Sequence, residues 1–471
     1  MSELAMSVLS WNLYLGADVG RVIGAKSSLV PSRMASLWQT AQRTNFAHRA
    51  KSIARIIRRE DPDIVALQEV GRWSSAARRP LNAPATPEKT EFDFLRILLN
   101  ELEALGAYYF VAVRSPGVDI LLPTCDGPDI RIEDSVALLL RAGSALHAVE
   151  WEKPRAGRFS AKLRTTMEGD PFDIQRGWAS IDLRLADDAV RIITTHLEYY
   201  SSAVQPMQVS EILNGPAAIP GPVILAGDFN CRPDSGTWEM LNNSGYTDVW
   251  LAAGKGQGYT SSHDEDLRNS ESTLHERIDW ILCRGKMDVL EAKCVGANPE
   301  DRASNEVWPS DHAGVFAKLR LPPGDVGTKR PKRRYSMNAP TEPLEIVKIV
   351  FDRFIKRDLS GVMDFVDPEG EWFFPGNPNI LPWAGTFRGA GLMRFFIQCA
   401  ESLDYLEYKA HTFYAQGQIV TVLSSEKCRV KKTGKVFDNQ LASIVRVRNG
   451  KIVEYLEYAD TAAMHAAFES D

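Results

Sequence analysis

Short apolar runs that stop at a polar residue recur through the first two thirds of the chain. Val8-Leu9-Ser10-Trp11 stops at Asn12, and Ile64-Val65-Ala66-Leu67-Gln68 stops at Glu69. Ile192-Ile193-Thr194-Thr195 stops at His196, and Val223-Ile224-Leu225-Ala226-Gly227 leads into Asp228 and Asn230. Asp279 sits inside Arg277-Ile278-Asp279-Trp280-Ile281-Leu282, and Asp311 and His312 open Ala313-Gly314-Val315-Phe316. Short runs rich in β-branched residues read as buried strands. Strands stacked with their ends aligned bring these polar side chains to one crevice.

Helical spacing fills the gaps. Residues 47–57 set Ala and Ile against Arg and Lys and stop before Pro62, residues 92–105 form a second amphipathic helix, and 207–213 and 237–242 form short ones. Residues 108–113, 136–140, 178–183 and 191–195 read as further strands. Two stretches break the alternation. Residues 16–45 form a long insert, either a lid over the crevice or a surface excursion. Residues 72–90, rich in Pro, Ala and Arg, read as an exposed loop.

Residues 322–339 combine Pro and Gly with Lys329-Arg330-Pro331-Lys332-Arg333-Arg334 and read as a solvated linker. This predicts a domain over 1–321 and another over 340–471. The second opens with an amphipathic helix from Leu344 to Phe351. A strand over 366–374 and a helix over 389–399 follow. Four strands over 406–414, 418–430, 437–448 and 451–458 come last, with a hairpin turn at Asn449-Gly450. No helix is read beyond them.

A chain of 471 residues exceeds one ordinary core. The net charge of -6 argues against a surface that coats a polyanion, because that needs clustered Lys and Arg. A bound cation would still supply local positive charge. No apolar run is long enough for a membrane span, and MSELAMSVLSW lacks the basic start of a secretion signal. The six cysteines form no C-x-x-C pair, which fits reduced thiols in a cytoplasmic protein.

A crevice of carboxylates, amides and two histidines, without cysteine, suits a hard cation. That is equipment for metal-assisted phosphoester hydrolysis. The segments SWNLYLGAD, DIVALQEV, TTHLE, LAGDFNCRPDS, RIDWIL and WPSDHAGV resemble, in order, the endonuclease/exonuclease/phosphatase superfamily, which includes DNase I. The resemblance covers about residues 6–321 and implies an α/β domain built as a four-layer α/β/β/α sandwich.

It also implies roles. Asn12 and Glu69 would be the primary ligands of Mg2+ or Mn2+, with Asp311 beside them. Asp228 would align or deprotonate the attacking water, and Asn230 would hold a phosphoryl oxygen. His312 would pair with Asp279. His196 would reach a non-bridging oxygen or the leaving group, partnered by Asp134 or else Glu133. Arg232, Arg277 and Arg302 are candidates for a second phosphate or other acidic group, and each reads more simply as a salt-bridged surface arginine. Substrate choice lies in loops rather than in this core. The sequence shows no continuous Lys, Arg and aromatic stripe, which favours a small or medium phosphate ester; DNA or RNA as partner stays open as the alternative.

WAGTFRGAGLMRFF and VRVRNGKIVEYLEYAD resemble the SnoaL-like branch of the ketosteroid-isomerase/nuclear-transport-factor cone, an α+β fold. This implies a pocket between a curved sheet and helices, with Trp372, Trp383, Tyr408, His411, Tyr455 and Glu457 in it and Asp438 and Glu454 close by. Isomerase, cyclase or ligand-binding activity through this domain is a third functional reading. Val420, Val422 and Leu423, with Leu441, Ile444 and Val445, put apolar residues on both faces of the predicted strands. Such a sheet needs cover on both sides, which predicts a homodimer through this domain.

Overall fold

A computed structural model describes residues 5–78, 88–142, 147–148, 154–167, 170–185, 188–320, 342–356 and 358–469. The chain divides into two compact units, Met1–Arg141 with Lys153–Gly324 and Ala142–Glu152 with Asp325–Asp471. The expected linker over 322–339 lies outside the described residues. Among those described, no helix is long and apolar enough to cross a membrane.

Two sheets form the first unit. The first runs in the order Asp288–Val295, Gly314–Arg320, Ala5–Asn12, Ile64–Gln68, Asp129–Arg141, Arg72–Ala76, Glu88–Asp93, with Tyr109–Leu122 also paired to Asp129–Arg141. Ala5–Asn12 lies parallel to Ile64–Gln68, with Asn12 opposite Gln68. It lies antiparallel to Gly314–Arg320, with Ser10 opposite Val315. Asn12, Glu69 and Asp311–His312 therefore reach the same end.

The second sheet contains Thr247–Asp248, Asp279–Arg284, Val223–Asp228, Asp188–His196 and Gly177–Leu185 in that order. Its register sets His196 opposite Asp228 and Asp228 opposite Asp279, one polar row across three strands. The sheets meet through buried side chains, with Gln68 Nε2 donating to Thr194 Oγ1 at 3.0 Å. Ile64–Gln68 and Val223–Asp228 are buried at every position, which is why their sequences run apolar without alternation.

Both irregular stretches turn out to be ordered where described. Residues 72–90 do not begin or end as a loop. Arg72–Ala76 pairs antiparallel with Glu88–Asp93, and buried Trp73 donates its indole N–H to Leu15 O at 2.9 Å. The insert over 16–45 carries the helix Val30–Thr44, which buries Val30, Met34, Leu37 and Ala41. Trp38 on that helix stacks on Trp73 at 5.7 Å. The helix of the insert is thus a piece of core.

The second unit is a six-stranded sheet ordered Gly385–Arg388, Val366–Phe374, Lys451–Tyr458, Val436–Arg448, Ile419–Val430, Leu403–Gln416, with helices Pro343–Ile355 and Leu392–Ser402. Two expectations are corrected here. Ile419–Val430 alternates cleanly, with Val420 and Val422 fully buried and Leu423 39% exposed, so its two faces differ. A helix, Thr461–Phe468, does follow the last strand; Asp460 starts it by accepting the N–H groups of Ala462 and Ala463. Its short Ala-rich sequence gives little helical periodicity to read.

Candidate active site

The polar strand ends meet. Glu69, Asp134, His196, Asp228, Asn230, Asp311 and His312 line a cavity of about 550 Å³, walled also by Tyr14–Leu15, Ala17–Arg21, Arg176, Tyr199, Tyr200 and His263. Asn12 and Asp279 are buried beside it. Tyr14, Glu69 and Asn230 hold φ angles of 57°, 51° and 50°, the left-handed region that side chains usually avoid. Each follows a strand end, so the chain turns there rather than running past the cavity. Such conformations persist only where surrounding structure enforces them, and they gather at functional sites.

Asn12 joins the two sheets. Its Nδ2 donates to Glu69 Oε1 at 3.2 Å and to Asp228 Oδ2 at 2.9 Å, while its Oδ1 accepts from Tyr14 N. Only this orientation gives both carboxylates a donor and the amide an acceptor. Asn12 thus links the two acids, and its Oδ1, which accepts a single hydrogen bond, keeps a second lone pair for the expected ligand role. Glu69 is further held by Leu15 N at 2.7 Å, and Asp228 by Asn230 N at 2.9 Å.

The acids strain one another. Burial pushes the Asp228 carboxyl up to about 7, and the charge of Asp279 adds to this. Burial also raises Glu69, and Asp311 raises it further. Burial raises Asp311 as well. His312 behaves oppositely. Burial opposes its charge, but Asp279, Asp311 and Asp228 outweigh this and hold the imidazolium well above its ordinary range. The expected pair is present, with His312 Nδ1 2.7 Å from Asp279 Oδ2. Its Nε2 lies 3.5 Å from Ser261 Oγ, 3.9 Å from Asp311 Oδ1 and 4.0 Å from Asp228 Oδ2.

His196 has a partner the sequence did not disclose. Neither Asp134 nor Glu133 holds its ring directly. Glu133 pairs with Arg72 at 3.5 Å. Arg176 Nη1 stands 3.0 Å from His196 Nδ1 and 3.5 Å from Asp134 Oδ2, between ring and acid. Burial, then the charges of Arg176 and His312, push His196 well below its ordinary pKa.

A model described as the Endonuclease/Exonuclease/phosphatase family matches residues 9–312, about two thirds of the chain. The chain belongs to that family. Membership makes it a phosphoester hydrolase by descent, in a family that depends on divalent metal. A SnoaL-like domain model matches residues 347–455. Uncharacterized proteins of Mycobacterium tuberculosis and Mycobacterium bovis are 29% identical over 125 residues, covering 26% of this chain and 91% of theirs.

Solved relatives are more distant. A family member from Leptotrichia buccalis is 17% identical with a TM-score of 0.43, covering 67% of this chain and all of its own. The mannosyl-6-phosphatase of Bacteroides thetaiotaomicron is 17% identical with a TM-score of 0.41, covering 67% and 99%. TDP2 of D. rerio complexed with single-strand DNA product is 17% identical with a TM-score of 0.39, covering 67% and 99%.

Beyond the family's motifs, the structure adds residues. Arg49 is fully buried and donates to the carbonyls of Leu13, Tyr14 and Pro309, tying the segment after Asn12 to the segment before Asp311. In sequence it passes for the polar side of a helix. His263 stacks on Trp308 at 4.3 Å at the cavity wall, where burial, with the charge of His312, lowers it to about 4. The three candidate arginines are engaged elsewhere. Arg232 pairs with Glu276, Arg277 with Asp248 at 2.6 Å, and Arg302 donates to Glu306 O.

The SnoaL-like unit has its own cavity, of about 50 Å³. Trp372, Trp383, Tyr408, Tyr455 and Glu457 line it as expected. His411 does not: it is exposed and bonds Ser425 Oγ at 2.7 Å on the outer side of the sheet. Asp438 is exposed toward Lys427, and Glu454 bonds Arg446. His411 sits in a bulge between Ala410 and Thr412, where it opposes no residue of the next strand. The missed acid is Glu426, buried and raised by that burial to about 7. Burial and the charge of Glu426 lift Glu457 to about 8.

Proposed function

We propose that this protein hydrolyses a small or medium-sized phosphate ester by attack of a metal-activated water on phosphorus. The observation carrying the reading is the union of Glu69, Asp228, Asn230, Asp311 and both histidines in one cavity. Glu69 and Asp311 fit a hard divalent cation, Mg2+ or Mn2+, because both offer oxygen and both are acids that burial disfavours as bare charges. When bound there, the ion supplies Lewis acidity to a phosphoryl oxygen and charge to offset the leaving oxygen.

The remaining steps belong to side chains. Asp228, fixed by Asn12 and Asn230 N, aligns the water and takes its proton. Asn230 holds a phosphoryl oxygen without adding negative charge; one amide hydrogen goes to Leu197 O at 3.0 Å, leaving the second free for that oxygen. His312, kept cationic by Asp279, aims Nε2–H at the developing charge. His196 donates from the opposite sheet.

Replacing Glu69 with Gln, or His312 with Ala, is expected to lower turnover by about 10²–10⁴-fold with the fold retained by circular dichroism. Hydrolysis undiminished in excess chelator would overturn the reading. A metal-supplemented screen over nucleotides, sugar phosphates, phospholipids and nucleic acids identifies the ester.

Two further proposals complete this reading. The six free cysteines suit a cytoplasmic protein. The SnoaL-like unit forms a homodimer through the outer face of its sheet, where Phe373, Leu423, Tyr414 and Tyr458 are 39–61% exposed.

A further inference from the structure

We propose that Arg176 is a positioning residue that fixes His196 with its proton on Nε2, as a neutral hydrogen-bond donor to the substrate. This rests on the hydrolase reading above for the identity of the substrate, though not for the geometry of the pair. A guanidinium only donates hydrogen bonds. Arg176 Nη1 lies 3.0 Å from His196 Nδ1, so that nitrogen must offer its lone pair. The ring proton then sits on Nε2, which faces Asp228 Oδ2 at 3.5 Å on the cavity side.

The arginine is built into place. Its side chain is 11% exposed, and Asp134 Oδ2 lies 3.5 Å from the same Nη1. Its carbonyl accepts from Phe159 N at 3.0 Å and from Gln175 Nε2 at 2.8 Å. The next residue, Gly177, lies so close to the neighbouring strand that a Cβ there would stand 2.5 Å from Gly157 O. Hairpin pairing of Trp178 with Thr195 then brings Arg176 beside His196.

The consequence is a polarity reversed between the two histidines. A carboxylate on Nδ1, as at His312, accepts a proton-bearing nitrogen and favours the cation. An arginine on Nδ1 does the opposite. With Asp228, Asp134, Arg176 and His312 as the charged groups around it, His196 gives one hydrogen bond to a phosphoryl or leaving oxygen and takes no proton.

The test uses the full chain with ¹⁵N-labelled histidine and two-bond ¹H–¹⁵N correlation spectra, recorded with and without Mg2+ and assigned with His196→Gln. We expect wild-type His196 to show a bare Nδ1 and a protonated Nε2. Arg176→Met should mix the tautomers and lower kcat about 10- to 100-fold, the scale found when a partner that orients a histidine is lost. KM should move less than about twofold. Arg176→Lys should recover part of both. A proton on Nδ1 in the wild type overturns the proposal. So does an Arg176→Met protein whose tautomer and kcat are unchanged while KM rises, which would make Arg176 a phosphate anchor. If no phosphate ester is turned over, the tautomer spectrum still decides the role of Arg176, and only the hydrolase reading fails.

Discussion

Arg49 shows how much of the site rests on one residue that touches no substrate. It lies 2.6 Å from Leu13 O and 2.9 Å from both Tyr14 O and Pro309 O, and burial lowers its pKa to about 10. Arg49→Met would strand these buried carbonyls. We expect a loss of about 2–5 kcal/mol in urea unfolding. Arg49→Lys should rescue little, because an ammonium lacks the planar fork that spans the carbonyls. Asp279→Asn tests a different dependence. It keeps the shape beside His312 but removes the charge that makes the imidazolium favourable. Turnover should fall about 10²–10⁴-fold with unfolding unchanged, read by steady-state kinetics beside thermal melts.

At the scale of elements, the polar positions were legible because each lies within or at an end of a short apolar run and they follow one another in family order. Every one reaches the cavity or its immediate backing. What stayed hidden was set by pairing across the chain. Arg176 acquires its meaning from the register of Gly177–Leu185 against Asp188–His196. The Arg72–Ala76 strand was masked by its serines, although Trp73 anchors it. In the SnoaL-like sheet, residue type alone did not separate the outward His411 from the inward Tyr408, and Glu426 went unnoticed in a strand whose alternation is regular.

That sheet makes a pH prediction. Glu426 and Glu457 sit at about 7 and 8, above the ordinary 4.5, so the folded unit holds protons that the unfolded chain releases. Their stabilising contribution is full below about pH 4.5 and is lost as pH rises through 7 and 8. Melts of the full chain should show a transition temperature that falls as pH rises from about 4.5 to about 8. Glu426→Gln with Glu457→Gln should flatten that slope; an unchanged slope would place the proton uptake elsewhere.

For the whole molecule, net charge and sheet faces set the expectations. With a net charge of -6, hydrolysis of a small ester should weaken only modestly from 50 to 200 mM salt. A nucleic-acid enzyme would lose affinity steeply over that range as phosphate contacts are screened. Plasmid nicking with steep salt dependence would move the assignment to the endonuclease alternative. Light scattering on the full chain should give a dimer at micromolar concentration. Leu423→Lys with Tyr414→Lys should convert it to a monomer, and a wild-type monomer would end the dimer proposal.

The left-handed backbone at Tyr14, Glu69 and Asn230 bears on how this chain could be improved. Each such residue costs about 1–2 kcal/mol that glycine would not. A library selected for survival of heat would find that relief and drift toward glycine at these positions. It would gain melting temperature and shed turnover together, the trade expected wherever strain serves a site. Asp61, which caps the helix Phe46–Glu60, and Asn449, in a hairpin of the second unit, share the conformation at φ of 46° and 50°, and neither lines the cavity. Glycine there should come without that loss, so these are the positions from which to begin hardening the enzyme.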